Sequence, residues 1–243
     1  MEDKKQSAWE ENVLMEFEIR DGCLLKYNGK GGDVEIPFGV TSIGTGAFEC
    51  CRNLKNVIIP ESVISIGERA FQNCYYLVGV SMAGVSSIGK MAFRNCYWLS
   101  HLHLPETLRT IGDWAFLSCD HLMAFTLPQG VASIGEKAFS CCSGLTELEI
   151  PGTVGSVGAR AFAGCVSLER VTVENGVREI GEGAFLGCKR LRFLKLPKSL
   201  QRIGSVAFFD CPSLRYVEKP SRFDDGAFDM DTYLIDTKPS TLS

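Results

Sequence analysis

The chain has 243 residues, 45% of them hydrophobic, with 25 Lys and Arg set against 29 Asp and Glu. Its net charge of −4, with Lys and Arg scattered along the sequence, argues against nucleic acid as the main partner, because a phosphate-binding surface needs clustered basic residues. No apolar run reaches the length of a membrane span, so no membrane insertion is expected.

Residues 1–12 are charged and read as a flexible N-terminal segment. They begin Met-Glu-Asp-Lys-Lys-Gln, without the apolar stretch of a signal peptide. As written, the sequence therefore predicts a cytoplasmic chain, with a cell-surface or secreted location if a leader has been removed. Residues 13–37 read as an N-terminal hairpin cap and first strand. Phe17 to Ile19 and Leu24 to Tyr27 flank the turn pair Asp21 and Gly22.

From residue 38 to 220 one short unit recurs eight times. The pair Ala-Phe returns at Phe48, Phe71, Phe93, Phe116, Phe139, Phe162, Phe185 and Phe208, every 22 or 23 residues. A Cys follows each Phe by three positions, from Cys51 to Cys211, and a Leu follows each Cys by three, from Leu54 to Leu214. A fixed period in this range predicts a solenoid, whose units bury their apolar faces against their neighbours. Within the first unit, Ile43, Ala47, Phe48 and Cys51 have helical spacing, which predicts a short helix. Leu54, Val57 and Ile59 then read as a strand, ended by Pro60. Stacked copies predict a parallel sheet of eight such strands, about 40 Å across. The Ser-Ile-Gly segments around Gly44 and its seven counterparts suggest a second, narrower ladder. Gly is expected there because a side chain would clash or because φ is positive.

Residues 221–236 carry a degenerate ninth unit and C-terminal cap, from Phe223 to Phe228 and on to Ile235, and 237–243 form a tail.

The unit V-x-S-I-G-x-x-A-F-x-x-C-x-x-L-x-x-L-x-I-P resembles the bacterial-surface-antigen (BspA-like) leucine-rich repeat family, over about residues 31 to 220. The resemblance implies an α/β repeat fold: a right-handed leucine-rich-repeat solenoid with a concave parallel sheet and short helices. It further implies protein binding or adhesion, often at a bacterial cell surface. The family's motif contains no catalytic residues to carry over.

Eight of the eleven Cys occupy one repeat position, which predicts a ladder of free, buried thiols rather than disulfides. Cys50–Cys51 and Cys141–Cys142 lack the spacing and second pair of a structural zinc site, so no metal is expected. No cofactor motif appears either.

Function is expected on the positions that vary between copies. Two outward positions per strand form a mixed grid, from Asn56 and Ile58 through His101 and His103 to Tyr216 and Glu218. Between Cys and Leu most copies hold small or polar residues. Copies two and three instead hold Tyr75, Tyr76, Tyr97 and Trp98, with His121 at the matching place in copy four. These rings, with His101 and His103, are the candidate binding residues, since aromatics with a polar tip make interface anchors. Mutual packing over the turn is the competing role. His101 and His103 have the spacing of a zinc pair, but the flanking strands offer only Gly79, Ser81, Ala124 and Thr126, so two solvated histidines are expected instead. Glu147 and Glu149 lack the pocket that a pair of catalytic carboxylates needs.

The sequence thus predicts a monomeric, non-catalytic interaction or adhesion module for an unidentified protein ligand. A carbohydrate or mucin binder using the aromatic edge, and a passive scaffold, are the alternatives.

Overall fold

A computed structural model describes residues 16–221 and 223. The segment 1–12, most of the ninth unit and the tail lie outside them. Two strands open the chain as a hairpin, β1 (Phe17–Arg20) and β2 (Cys23–Tyr27), followed by β3 (Gly32–Glu35). Short and longer strands then alternate: β4 (Ser42–Ile43), β5 (Leu54–Ile59), β6 (Ser65–Ile66), β7 (Gly79–Met82), β8 (Ser87–Ile88), β9 (His101–His103) and β10 (Thr110–Ile111). Past copy four come β11 (Ser133–Ile134), β12 (Glu147–Ile150), β13 (Ser156–Val157), β14 (Arg170–Val173), β15 (Glu179–Ile180), β16 (Phe193–Lys195), β17 (Arg202–Ile203) and β18 (Tyr216–Glu218).

The Ser-Ile-Gly segments do form a continuous narrow ladder. Ten strands run in the order β1-β2-β4-β6-β8-β10-β11-β13-β15-β17, antiparallel in the hairpin and parallel thereafter. Gly closes each short strand because the neighbouring coil passes very near. A Cβ on Gly158 would lie 2.4 Å from the Gly135 carbonyl oxygen. Close approach is the reason for Gly here.

The expected short helices are absent: the segments between the narrow and broad strands are chains of tight turns. In the first copy the amides of Ala47, Glu49 and Cys51 donate to the carbonyls of Gly44, Gly46 and Phe48, each three residues back. The alternate amides of Gly46, Phe48 and Cys50 donate outward, to Glu68, Ala70 and Gln72 of the next coil, at 2.7–2.9 Å. Two left-handed residues per copy impose this pattern. One stands two places after the Gly, at Gly46, Arg69, Met91, Trp114, Lys137, Arg160, Gly183 and Val206, with φ of 49–63°. The other immediately precedes the Cys, from Cys50 to Asp210, with φ of 59–72°. A left-handed residue interrupts a right-handed helix, and the freed amides tie coil to coil.

The broad ladder also departs from expectation. It is two four-stranded parallel sheets, β3-β5-β7-β9 and β12-β14-β16-β18, rather than one eight-stranded face. Residues 122–128 of copy four form no strand. The inward position that carries Val57, Val80, Leu102, Leu148, Val171, Leu194 or Val217 elsewhere carries Phe125 in copy four, where the ring is only partly buried. A phenyl ring exceeds the space a Val or Leu leaves, and overfilling a packed core displaces backbone.

Both ladders and the turn segments enclose one hydrophobic core. Its axis is a column of eight Phe rings, Phe48 to Phe208, with centroids 4.8–5.5 Å apart and neighbouring planes within 13°. Tyr27 stacks on Phe48 at 4.9 Å and Phe17 packs on Tyr27 at 5.2 Å, so the hairpin continues the column over the first coil.

Beside the rings runs the thiol ladder, without disulfides among the described residues. From Cys74 onward each thiol is buried and donates to the carbonyl of the preceding coil's Phe, from Cys74 on Phe48 to Cys211 on Phe185, at 3.0–3.4 Å. Burial raises the pKa of Cys74, Cys96, Cys119 and Cys142, and pushes Cys165 up to about 12. At Cys188 the hydrogen bond with Cys211 acts first and burial second, in the same direction. Cys51 breaks the pattern: it is partly exposed, because the hairpin rather than a full coil precedes it.

Candidate functional site

The turn between Cys and Leu places two side chains per coil at the head of each broad strand. In copies two and three those are the aromatic residues. Tyr75 and Tyr97 stack with centroids 5.3 Å apart, and the Arg52 guanidinium caps Tyr75 at 5.4 Å. Trp98 stacks instead on His121 of the next coil, at 4.3 Å and 16°. His121 is fixed through Nδ1, 2.9 Å from the Tyr97 carbonyl oxygen, so that nitrogen carries the proton and donates. Beside it, partial burial raises the Asp120 carboxyl, with the nearby imidazole pulling the other way. Tyr76 takes the Lys55 ammonium over its ring at 5.8 Å. The rings therefore form two stacks, Tyr75–Tyr97 and Trp98–His121, with Tyr76 held by a lysine. Tyr76 and Trp98 remain 52% and 49% exposed.

His101 and His103 project outward from β9, on either side of buried Leu102. The His101 Nδ1 is 3.0 Å from the Ser100 hydroxyl. Parallel register sets His101 beside Gly79 and Asn56, and His103 beside Ser81 and Ile58. Gly79 and Ser81 are small, so β7 forms the floor of a trough of about 520 Å³ between walls on β5 and β9. Those walls are two strand spacings apart, about 10 Å, which admits one extended polypeptide. Tyr76 and Trp98 stand at the heads of the floor and wall strands. Among the described residues, no group of three or more His, Cys, Asp or Glu is placed to hold a metal ion.

Sequence reasoning missed a second feature. On the other broad sheet Glu147, Arg170, Phe193 and Tyr216 are in register. Phe193 and Tyr216 stack at 4.9 Å and 6°, with the Arg170 guanidinium 4.5 Å over Phe193. The signal was present in the outward grid, where adjacent copies both carry a ring. Reading the grid only for a single sign of charge hid it.

Six copies of the BspA type leucine-rich repeat region match this chain, over residues 18–129 and 115–235. The chain belongs to the BspA type leucine-rich repeat family. Among solved structures of similar proteins is a leucine-rich repeat protein of T. pallidum, 29% identical, with a TM-score of 0.60 over 82% of this chain and 86% of that one. Another is a leucine-rich cell surface protein of Faecalibacterium prausnitzii, 27% identical, with a TM-score of 0.53 over 85% of this chain and 75% of that one. No curated protein matches. Set within the BspA type repeat, the aromatic turns of copies two and three are local departures from a small or polar position.

Proposed function

We propose that this BspA type repeat protein is a non-catalytic interaction module that binds an extended segment of a partner protein along the trough over β7. Tyr76 and Trp98 grip one end, and His101 and His103 line one wall. One observation carries the reading. Among the described coils, large rings fill the turn in just two, those whose strands form the floor and one wall of the trough, and two of those rings keep about half their surface open. A packing demand would act on every coil alike. Large amphipathic rings beside a groove supply contact area at little entropic cost.

The experiment selects peptide ligands on the immobilised full chain from a display library, then titrates them against Tyr76→Ser with Trp98→Ser. Loss of binding with an unchanged melting temperature supports the module. A fall in melting temperature assigns the rings to structure. Glycan-array binding that disappears in Trp98→Ala would favour a carbohydrate ligand. A surface location draws support from the F. prausnitzii protein, a cell surface protein by description. Labelling intact source cells with a membrane-impermeant reagent tests that location.

A further inference from the structure

The basic residues are not evenly spread. Residues 177–220, the seventh and eighth coils, contain nine Lys and Arg against four Asp and Glu, in a chain whose net charge is −4. Part of this excess is neutralised locally, by Lys189 with Asp210, by Lys195 with Glu218 at 3.5 Å and by Arg202 with Glu179 at 3.1 Å. Arg190 and Arg192 are exposed, without an ion-pair partner among the described residues. Arg215 is exposed as well and spends one guanidinium nitrogen on the carbonyls of Pro212 and Leu214. The Arg215 amide donates to the Arg192 carbonyl, so the two arginines head adjacent strands, about 4.8 Å apart, with Glu169 the one acid next in their row. Directly after them come Phe193 and Tyr216, the stacked rings over a recess of about 280 Å³.

We propose that this face is a second binding site, for an acidic polypeptide segment with an apolar side chain among its carboxylates. Two neighbouring guanidiniums offer forked donors that match carboxylates. The Phe193–Tyr216 platform, one residue further along each strand, offers a flat apolar contact close to the two arginines. The complementary charge commits the site to an anionic partner, and the rings beside the arginines favour a peptide over a uniformly charged polyanion. This site lies on the second broad sheet and does not depend on the trough over β7.

The test titrates the full chain with a short fluorescent peptide alternating Asp with Phe and Leu, and with its Asn analogue. The acidic peptide is expected to bind at low salt and weaken as salt rises. The Asn analogue should bind at least about tenfold more weakly, and Arg192→Ala should cost a similar factor. Arg192→Lys, which keeps the charge and stem, recovers only part of the binding and replaces the alanine variant if that one melts early. Tyr216→Ala should weaken binding without changing its salt dependence. Tyr76→Ser with Trp98→Ser should leave it unchanged. Failure of the acidic peptide to bind, equal binding of the Asn analogue, or indifference to both arginine variants would overturn the proposal. So would stronger displacement by a sulfated oligosaccharide of equal charge than by the unlabelled peptide.

Discussion

The rings of Phe125 and Phe139 lie stacked, 4.7 Å between centroids and 16° between planes. Phe125 therefore joins the core column from the side, where every other coil sends in a Val or Leu from a paired strand. The narrow ladder and the ring column pass through copy four unbroken, while the broad ladder stops at β9 and resumes at β12. One oversized residue thus divides the outward face and separates the trough from the basic platform.

Phe125→Leu tests this cause. A side chain of the size used elsewhere lets residues 123–127 pair with β9 and β12. Their amides should gain hydrogen-exchange protection, and stability should change by less than about 1.5 kcal/mol, since the lost ring contact opposes the new pairing. Unchanged exchange in the variant would separate the break from Phe125.

The thiol ladder predicts a pH dependence. Cys74, Cys96, Cys119, Cys142, Cys165 and Cys188 titrate above the ordinary thiol value of 9.0. The unfolded chain ionises first as pH rises, so the contribution to stability is intact below about pH 9 and is lost from there toward each raised folded value. Each such thiol removes about 1.4 kcal/mol per pH unit in that window. Melting temperature should be flat from pH 6 to about 8.5 and fall steeply above about 9. In parallel, native alkylation should reach Cys50 and Cys141 quickly and Cys51 more slowly, sparing Cys74, Cys96, Cys119, Cys142, Cys165, Cys188 and Cys211 until denaturant is added.

Val206 is β-branched, 45% exposed, and held at φ 49°. The equivalent positions in the first and seventh coils are Gly46 and Gly183. Left-handed backbone disfavours a branched side chain and accepts Asn. Val206→Asn should therefore raise stability by about 1 kcal/mol, read as a shifted denaturation midpoint with an unchanged slope. A loss of similar size would mean that the Val206 side chain packs more productively than its exposure indicates.

Phe139→Ala removes a fully buried ring that touches Phe116, Phe162 and Phe125. It should cost about 3–5 kcal/mol by chemical denaturation. A cost below about 1 kcal/mol would show that the column is not the structural axis.

The period itself was fully legible, because Phe, Cys, Leu and Gly recur at fixed offsets and each has one buried task. The turn between the ladders was misread for a physical reason. Ile43, Ala47, Phe48 and Cys51 point inward whether the backbone is a helix or a run of turns, so their spacing does not discriminate. The discriminating signal sat between those inward positions: Gly46, Gly183, Asn73, Asn95, Gly164, Gly187 and Asp210 are residue types that accept positive φ, repeated at two offsets. Tyr75, Tyr76, Tyr97, Trp98 and His121 stood out as exceptions to the repeat; coil spacing gives the stacks of Tyr75 on Tyr97 and Trp98 on His121, but it also sets Tyr76 beside Trp98, where the structure has Lys55 over the Tyr76 ring instead. The trough was not legible, since it depends on Gly79 and Ser81 lying in register between larger neighbours. The basic platform was missed because charge was averaged over the whole chain.

The central claim, that the aromatic turns of copies two and three serve binding rather than folding, is tested most directly by one titration. A peptide selected on the wild-type chain is measured against the Tyr76→Ser, Trp98→Ser protein, with melting temperatures recorded for both. The account predicts a loss of more than about tenfold, or about 1.4 kcal/mol, at a nearly constant melting temperature. Undiminished binding, or a collapse of the melting temperature, would contradict it.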